Sequence, residues 1–357
     1  MRASSVYLVS RPVDLALLGG LSLAVCGLYR WTHVGDLGAR LIAGGMLTWS
    51  LNWPHFAATN FRLYGSRNTI SQYPITAVVS PLVVGFLIIA ALHSPLLVTP
   101  VLFKLFLVWS PFHYSGQTFG VSLLYARKAR FEVESWCRAA LSAFIFLTFI
   151  SESAAAETSP LGTIYFGVRL PTFGLPEALP PLLRLAMYLA AALTVLGFAV
   201  SAIRQRRMPP FPLLLVPVTQ YVWFVVGPGV SGFRELVPAF HSLQYLVIAW
   251  AMHARSADTH SASAVGLWKL APVCRWMCWN LAGGVVLFFL LPRLPGGLGY
   301  GQPMLAAGVV TTGVQVHHFF VDGVIWKLRS KAVSSPLVDA TDAQGNGVLA
   351  PALELAA

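Results

Sequence analysis

Five histidines interrupt apolar segments of the sequence, where an ionisable side chain is costly. Placing such a side chain in the middle of a membrane helix costs about 2.5–3.5 kcal/mol, so each one indicates a specific role. Neutral imidazoles are good ligands for iron, copper and zinc. The sequence therefore predicts a shared metal or cofactor site with these candidate ligands: His55, His113, His241, His317 and His318.

A polar residue follows these histidines at helical spacing. Residues three or four positions apart lie on the same face of a helix, and such a neighbour can orient a ligating imidazole through its second ring nitrogen. Asp322 is the one carboxylate that we predict within a membrane span. The residues predicted to support the site or share in its chemistry are Thr59 after His55, Gln117 after His113, Gln244 and Tyr245 after His241, and Asp322 after His318.

The depth of each histidine can be compared by counting back from the first cation at the end of its segment. His55 and His318 come out about 10–13 Å from that end, and His113 and His241 about 21 Å, at 1.5 Å per residue. We therefore expect two pairs, about two helical turns apart, which sloping helices could bring together.

The elements that position these residues are predicted to be membrane helices. The chain has 357 residues, of which 56% are hydrophobic and 10% are charged, and its mean hydropathy is +0.68. A soluble domain carries about 25% charged residues, so a soluble globular protein is excluded. Crossing the hydrocarbon core takes about 20 apolar residues. We predict an all-α, polytopic transmembrane bundle of ten helices, near residues 13–29, 41–61, 75–93, 99–125, 136–151, 182–203, 211–227, 236–254, 271–292 and 303–326.

The net charge of +11 comes from 24 Lys and Arg residues against 13 Asp and Glu. The cations occur in short clusters between apolar segments, which is typical of bilayer proteins and argues against nucleic-acid binding. Most of them fall on the inner side if the N-terminus is cytoplasmic, so both termini are predicted to be cytoplasmic. Residues 1–331 are predicted to form a single membrane domain, and residues 332–357 a disordered cytoplasmic tail.

The histidines lie in four short motifs, which read P-H-F-A-A-T at Pro54, F-H-Y-S-G-Q at Phe112, F-H-S-L-Q-Y at Phe240 and H-H-F-F-V-D-G-V-I-W-K at His317. In this order they resemble the motifs of the Brp/Blh family, membrane-embedded bacterial enzymes that cleave β-carotene to retinal. The resemblance implies a non-haem Fe(II) centre, a polyene or isoprenoid-like substrate attacked by O₂, and a bacterial inner membrane. It implies as iron ligands His55, His113, His241 and either His317 or His318.

The sequence departs from that family at several motif positions. Thr59 and Gln117 stand where the family has aspartates, and Tyr245 stands where it has the second histidine of its third motif. Asp322 keeps the chemical type of the family residue. We therefore expect a diverged relative with a changed hydrophobic substrate.

Three functions, besides a purely structural polar network, are compatible with the sequence. The first is an O₂-dependent oxidoreductase, in which Trp53, Trp109 and Tyr114 line a tunnel for an apolar substrate. The second is a bis-histidine haem protein for electron transfer. The third is a proton- or ion-coupled transporter that uses the same polar residues. P-loop, dinucleotide-binding and H-E-x-x-H motifs are absent from these segments, which disfavours hydrolases, nucleotide-driven pumps and a nucleotide partner.

Overall fold

The chain folds almost entirely into helices in a computed structural model that describes residues 6–31, 37–257 and 270–338. A short antiparallel hairpin, β1 Ile164–Tyr165 and β2 Val168–Arg169, lies in the loop after the sixth helix. Several helices continue through a π-helical or 3-10 turn. Counted through such turns, the described ranges contain twelve helices: α1 Arg11–Trp31, α2 residues 37–64, α3 Arg67–Gln72, α4 Ile75–His93, α5 Val98–Lys128, α6 Ser135–Ala156, α7 Leu179–Gln205, α8 Phe211–Gly229, α9 residues 234–257, α10 Ala271–Gly297, α11 Pro303–Ile325 and α12 Lys331–Leu337.

Seven of these described helices are long and apolar enough to cross a membrane, namely α1, α4, α6, α7, α8, α10 and α11. The chain is a multi-pass membrane protein, and the prediction of an all-helical bundle is confirmed. Three further long helices, α2, α5 and α9, coincide with predicted spans but contain more polar side chains. They carry His55, His113 and His241, so the candidate site itself lowers their hydropathy. The cytoplasmic location of the termini stays a prediction.

Large apolar side chains cover the outer faces of the bundle. Phe86 of α4 is 69% exposed and Val195 of α7 is 68% exposed, as expected for residues that face lipid. The inner faces pack against one another, and α11 lies against both α4 and α5. Phe103 of α5 and Phe319 of α11 are buried in one apolar cluster at this contact. The described part of α11 is the most buried of the candidate spans.

A close backbone approach holds α2 against α10. A Cβ atom at Gly284 of α10 would lie 2.8 Å from the carbonyl carbon of Trp53, so the two helices can meet there only at a glycine. A π-helical turn at Thr48–Asn52 comes directly before Trp53, and Pro54 begins the next regular turn. Turns of this kind are frequent at functional sites. Together these features fix the position of His55.

The predicted tail, residues 332–357, begins inside a helix. Val333 and Leu337 of α12 are buried in an apolar cluster that includes Leu124 and Ile248. Residues 332–338 therefore pack on the bundle, and residues 339–357 lie outside the described residues. The division into one membrane domain and a tail otherwise stays a prediction.

Candidate metal centre

Four histidines, each from a different helix, lie in one buried cluster. They are His55 of α2, His113 of α5, His241 of α9 and His318 of α11. The ring centroid of His318 is 4.5 Å from that of His55 and 5.0 Å from that of His113. The ring of His241 lies 5.0 Å from His55 and 5.1 Å from His113. The structure thus brings together four side chains that are far apart in the sequence.

The expected separation into two depth pairs is wrong. The rings of His55 and His113, which were assigned to different depths, are 6.4 Å apart. The reason is that the helices do not end level with one another. α5 continues to Lys128, well past His113, whereas α11 ends at Ile325, soon after His318. The number of residues between a histidine and the first cation after it is therefore a poor measure of depth, and it overstates the separation of His113 from His55 and His318.

Asp322 faces three of these histidines. Its Oδ2 lies 3.3 Å from Nε2 of His318, 3.7 Å from Nε2 of His113 and 3.9 Å from Nε2 of His55. Each of these four residues offers one ligand atom, and the four atoms all lie within 4.8 Å of one another. This spacing suits a single metal ion. The sequence predicts Asp322 as a supporting residue, whereas the geometry places its carboxylate among the possible ligands.

Most ring nitrogens of the cluster are buried without a hydrogen-bond partner among the described residues. The unpartnered buried atoms include Nε2 of His55, Nε2 of His113, and both ring nitrogens of His241 and of His318. Leaving one buried polar atom unsatisfied costs about 1–3 kcal/mol, and several in one place need an explanation. A neutral imidazole has one nitrogen with a free lone pair, and a cation that accepts this lone pair would satisfy one nitrogen of each ring. The donor set therefore fits a metal ion.

The hydrogen bonds of His55 determine which of its nitrogens is free. Its Nδ1 lies 3.1 Å from Oγ of Ser242. The one proton of that hydroxyl has two acceptors, each at 2.8 Å, namely the carbonyl oxygen of Pro238 and Oδ1 of Asn52, and both oxygens can only accept. Oγ of Ser242 therefore accepts from the Nδ1–H of His55. In a neutral imidazole this leaves the lone pair on Nε2, directed toward Asp322.

A chain of hydrogen bonds supports the other carboxylate oxygen. Thr59 donates from Oγ1 to Oδ1 of Asp322 at 2.9 Å. The hydroxyl of Tyr245 lies 2.6 Å from Oγ1 of Thr59, and Nε1 of Trp326 donates to that tyrosine at 3.1 Å. The ring of Tyr245 also stacks on His55, with centroids 4.0 Å apart. The sequence analysis does not single out Trp326, although it lies within the fourth histidine motif.

Gln117 and Gln244 do not contact the histidine rings in the way that the sequence predicts. Nε2 of Gln117 donates to the backbone carbonyl of His241 at 3.0 Å. Nε2 of Gln244 donates to the backbone carbonyl of Leu18 in α1. Among the described contacts, neither amide binds a ring nitrogen. These side chains join helices around the cluster rather than fix a tautomer.

His318 rather than His317 faces the cluster. Successive residues of a helix point about 100° apart, so the two rings cannot face the same point. The ring contacts with His55 and His113 all belong to His318. Nε2 of His317 is buried without a partner, but His317 is outside the group of mutually close ligand atoms.

A cavity of about 490 Å³, which we call the His113 cavity, opens beside the cluster. His113, Asp322 and Tyr245 form part of its wall. The rest is mostly apolar and includes two glycines of α5, Gly116 and Gly120. No atom lies within 4 Å of the position that a Cβ would occupy at either glycine. The absence of side chains there leaves room next to the possible metal ligands.

One of the three aromatic residues predicted to line a tunnel contributes to this wall. Trp109 lines the His113 cavity. Trp53 instead stacks on Phe288 of α10 with centroids 5.9 Å apart. Tyr114 stacks on His241 at 3.9 Å. Within the described residues, Trp53 and Tyr114 pack around the cluster, and neither lines the cavity.

Comparison with known proteins yields no assignment. No protein-family model matches this chain, and no curated protein or solved structure matches it. The resemblance to the Brp/Blh family therefore stays a prediction that rests on four short motifs. The geometry establishes a coarser description. This is a multi-pass helical membrane protein with a buried His/Asp group that could hold a metal ion.

Proposed function

We propose that this protein is a membrane-embedded, non-haem iron oxidoreductase that uses O₂ on a hydrophobic polyene or isoprenoid-like substrate. One observation carries the proposal. Nε2 atoms of His55, His113 and His318 converge with a carboxylate oxygen of Asp322 beside a largely apolar cavity. The motif resemblance supports the substrate class and a location in the inner membrane of a bacterium.

The donor set favours iron among the candidate metals. Mixed imidazole and carboxylate ligation with open positions is typical of Fe(II) oxygenases, whereas soft thiolate or thioether ligands select Cu(I). His241 stands next to the group as a further imidazole. When bound, Fe(II) would supply the redox chemistry with O₂ that no side chain of the chain can provide.

The roles of the side chains follow from their positions. The hydroxyl of Ser242 keeps the proton of His55 on Nδ1, so that Nε2 is free to bind. Thr59 holds one oxygen of Asp322, and the other faces the histidines. The apolar wall of the His113 cavity would exclude water and align an extended hydrocarbon substrate with the cluster. Because His113 belongs both to the wall and to the ligand group, the substrate would lie directly beside the metal.

The same geometry disfavours a bis-histidine haem. Axial ligation places two imidazoles on opposite faces of a flat macrocycle. Here the ring centroids are 4.5–6.4 Å apart and Asp322 lies among them, which leaves no space for a macrocycle. For a transporter we find no observation of comparable weight.

The test is the metal content of the purified protein. Protein prepared anaerobically in mild detergent should retain about one iron per chain by mass spectrometry, without a Soret band. His113→Ala should lose the iron and the O₂ uptake that a polyene stimulates. His93→Ala is the matched control, because His93 is an exposed histidine at the end of α4. Wild-type protein that takes up no Fe(II) on reconstitution, or His113→Ala that keeps it, would contradict the proposal.

A further inference from the structure

A second and larger cavity, of about 840 Å³, lies beside α3 between the ends of α2, α9 and α10. Its volume is within the range of ligand sites, about 300–1,000 Å³. None of the four clustered histidines lines it. We call it the arginine cavity, after Arg62 and Arg275 in its wall. The proposed iron chemistry makes no use of it.

The charges around the arginine cavity have one sign. Arg62 of α2, Arg275 of α10 and His253 of α9 line it, and its described wall contains no Asp or Glu. Arg275 is exposed and forms no ion pair with a described residue. Arg62 interacts electrostatically with Asp322, which is not part of this wall. Among the described residues the wall itself presents two guanidinium groups and no carboxylate, so an anion in the cavity would be attracted by both.

Arg62 is held in place by an aromatic ring and by one hydrogen bond to a described residue. Its guanidinium lies 4.0 Å from the centre of the Trp326 ring, and one nitrogen donates to the carbonyl of Ile325 at 3.3 Å. A guanidinium has five N–H donors in a planar fork that matches phosphate oxygens. The stacked and anchored side chain is therefore preorganised to bind an anion.

Neutral donors and aromatic rings complete the wall. Ser66 and Thr69 line the cavity at the start of α3, and their hydroxyl oxygens are 2.9 Å apart, so one hydroxyl donates to the other and the second keeps its proton for a ligand. Trp250, also in the wall, is buried, and its Nε1–H has no partner among the described residues. Its ring packs on Trp276 with centroids 5.6 Å apart. Hydroxyl and guanidinium donors beside an apolar, aromatic surface suit a ligand with a multivalent anionic head and an apolar body.

We infer that the arginine cavity binds a phosphate-bearing group. A phosphate offers more acceptor oxygens than a carboxylate to guanidinium groups from two different helices. Basic pockets between the ends of membrane helices are typical sites for phospholipid headgroups, although a soluble phosphate compound has the same chemistry. Trp279, also in the wall, is 67% exposed within a candidate membrane span, as expected for a side chain at a lipid-facing surface.

The test is a binding titration of the purified full-length protein by native mass spectrometry. Dioleoyl phosphatidylglycerol should bind and dioleoylglycerol, which has the same acyl chains without phosphate, should not. Equal retention of the two lipids would overturn the inference. Inorganic pyrophosphate added as a competitor identifies the source. Displacement of the lipid assigns the site to soluble phosphate compounds as well, and no displacement assigns it to the lipid headgroup.

Two matched substitutions separate the cavity from general surface charge. Arg275→Gln should weaken phosphatidylglycerol binding about tenfold, the loss expected for one charge-assisted contact. Arg329→Gln removes an exposed cation that does not line the cavity and should leave binding unchanged. An equal loss in both variants, or none in Arg275→Gln, would overturn the inference. Neither substitution should change the iron content. Loss of lipid binding and loss of iron are therefore separate results, and each contradicts only its own proposal.

Discussion

Thr59 donates a hydrogen bond from Oγ1 to Oδ1 of Asp322 at 2.9 Å, across 263 positions of sequence. The bond joins α2 to α11 in the centre of the bundle. Because it occupies Oδ1, the other oxygen of the carboxylate faces Nε2 of His318 at 3.3 Å. A single hydroxyl on one helix therefore orients a possible metal ligand on another.

Thr59→Val tests this orientation with almost no change of shape. The variant removes the donor to Asp322 and the partner of the Tyr245 hydroxyl. We expect metal affinity to fall about 10–100-fold, as for other residues that orient a ligand. The free energy of unfolding should fall by about 1–3 kcal/mol, because buried polar atoms lose their partner. Competition with a chelator measures the first effect, and thermal unfolding in detergent the second.

Thr194→Val is the control for that variant. Thr194 is a buried threonine of α7 whose hydroxyl donates to the backbone carbonyl of Ala190. It should lower stability slightly and leave metal affinity unchanged. If Thr59→Val retains metal as tightly as Thr194→Val, the hydroxyl of Thr59 does not orient a ligand.

The two adjacent histidines of α11 should respond differently to substitution. The ring of His318 contacts those of His55 and His113, and its side chain faces Asp322. His318→Ala is expected to lose the metal. His317→Ala is expected to keep it, since His317 lies outside the group of mutually close ligand atoms. Metal analysis of both variants decides between them, and the opposite pattern would assign the ligand to His317.

The sequence predicts the helices better than it predicts their relative heights. Every one of the ten predicted spans coincides with a long helix, because hydrophobic stretches of that length have few other structures available. The short helices α3 and α12 are too brief for such a pattern. The cost of polar residues in a membrane also identifies His55, His113, His241 and His318. Their common depth depends on how far each helix extends, which local sequence does not encode.

Residues that act through tertiary contacts are harder to assign. Gln117 and Gln244 lie one turn from histidines, yet their amides bind backbone carbonyls of other helices. Helical spacing places a side chain on a face but does not choose among the partners on that face. Trp326 and Ser242 support the cluster through bonds to residues from other helices. Only the packed structure reveals such bonds.

Gly120 provides a way to fill the His113 cavity without disturbing the cluster. No atom lies within 4 Å of where its Cβ would be, so Gly120→Leu should fold with the side chain in the cavity. Iron content should stay unchanged, while affinity for a polyene falls at least about tenfold through steric exclusion. Energy transfer from tryptophan to the bound polyene measures the affinity.

Gly45→Leu is the matched substitution outside the cavity. Gly45 is an exposed glycine of α2 that likewise has no atom within 4 Å of its would-be Cβ. It should leave both iron content and polyene affinity unchanged. Equal polyene affinity in the Gly120 and Gly45 variants would show that the polyene binds elsewhere.

Asp14 is a buried carboxylate within the first predicted span, which the sequence prediction of a single carboxylate in a span left out, and it secures the N-terminal segment. It lies in the first turn of α1 and accepts hydrogen bonds from the backbone N–H groups of Leu8 and Val9 and from the hydroxyl of Tyr125.

Asp14→Asn keeps the shape but turns an amide N–H₂ toward one of these donors. The free energy of unfolding should fall by about 2–3 kcal/mol, because buried donors lose their acceptor. Tyr125→Phe removes one donor only and should cost about 1 kcal/mol. Thermal unfolding followed by tryptophan fluorescence compares the two, and an Asp14→Asn variant no less stable than Tyr125→Phe would contradict the role of this carboxylate.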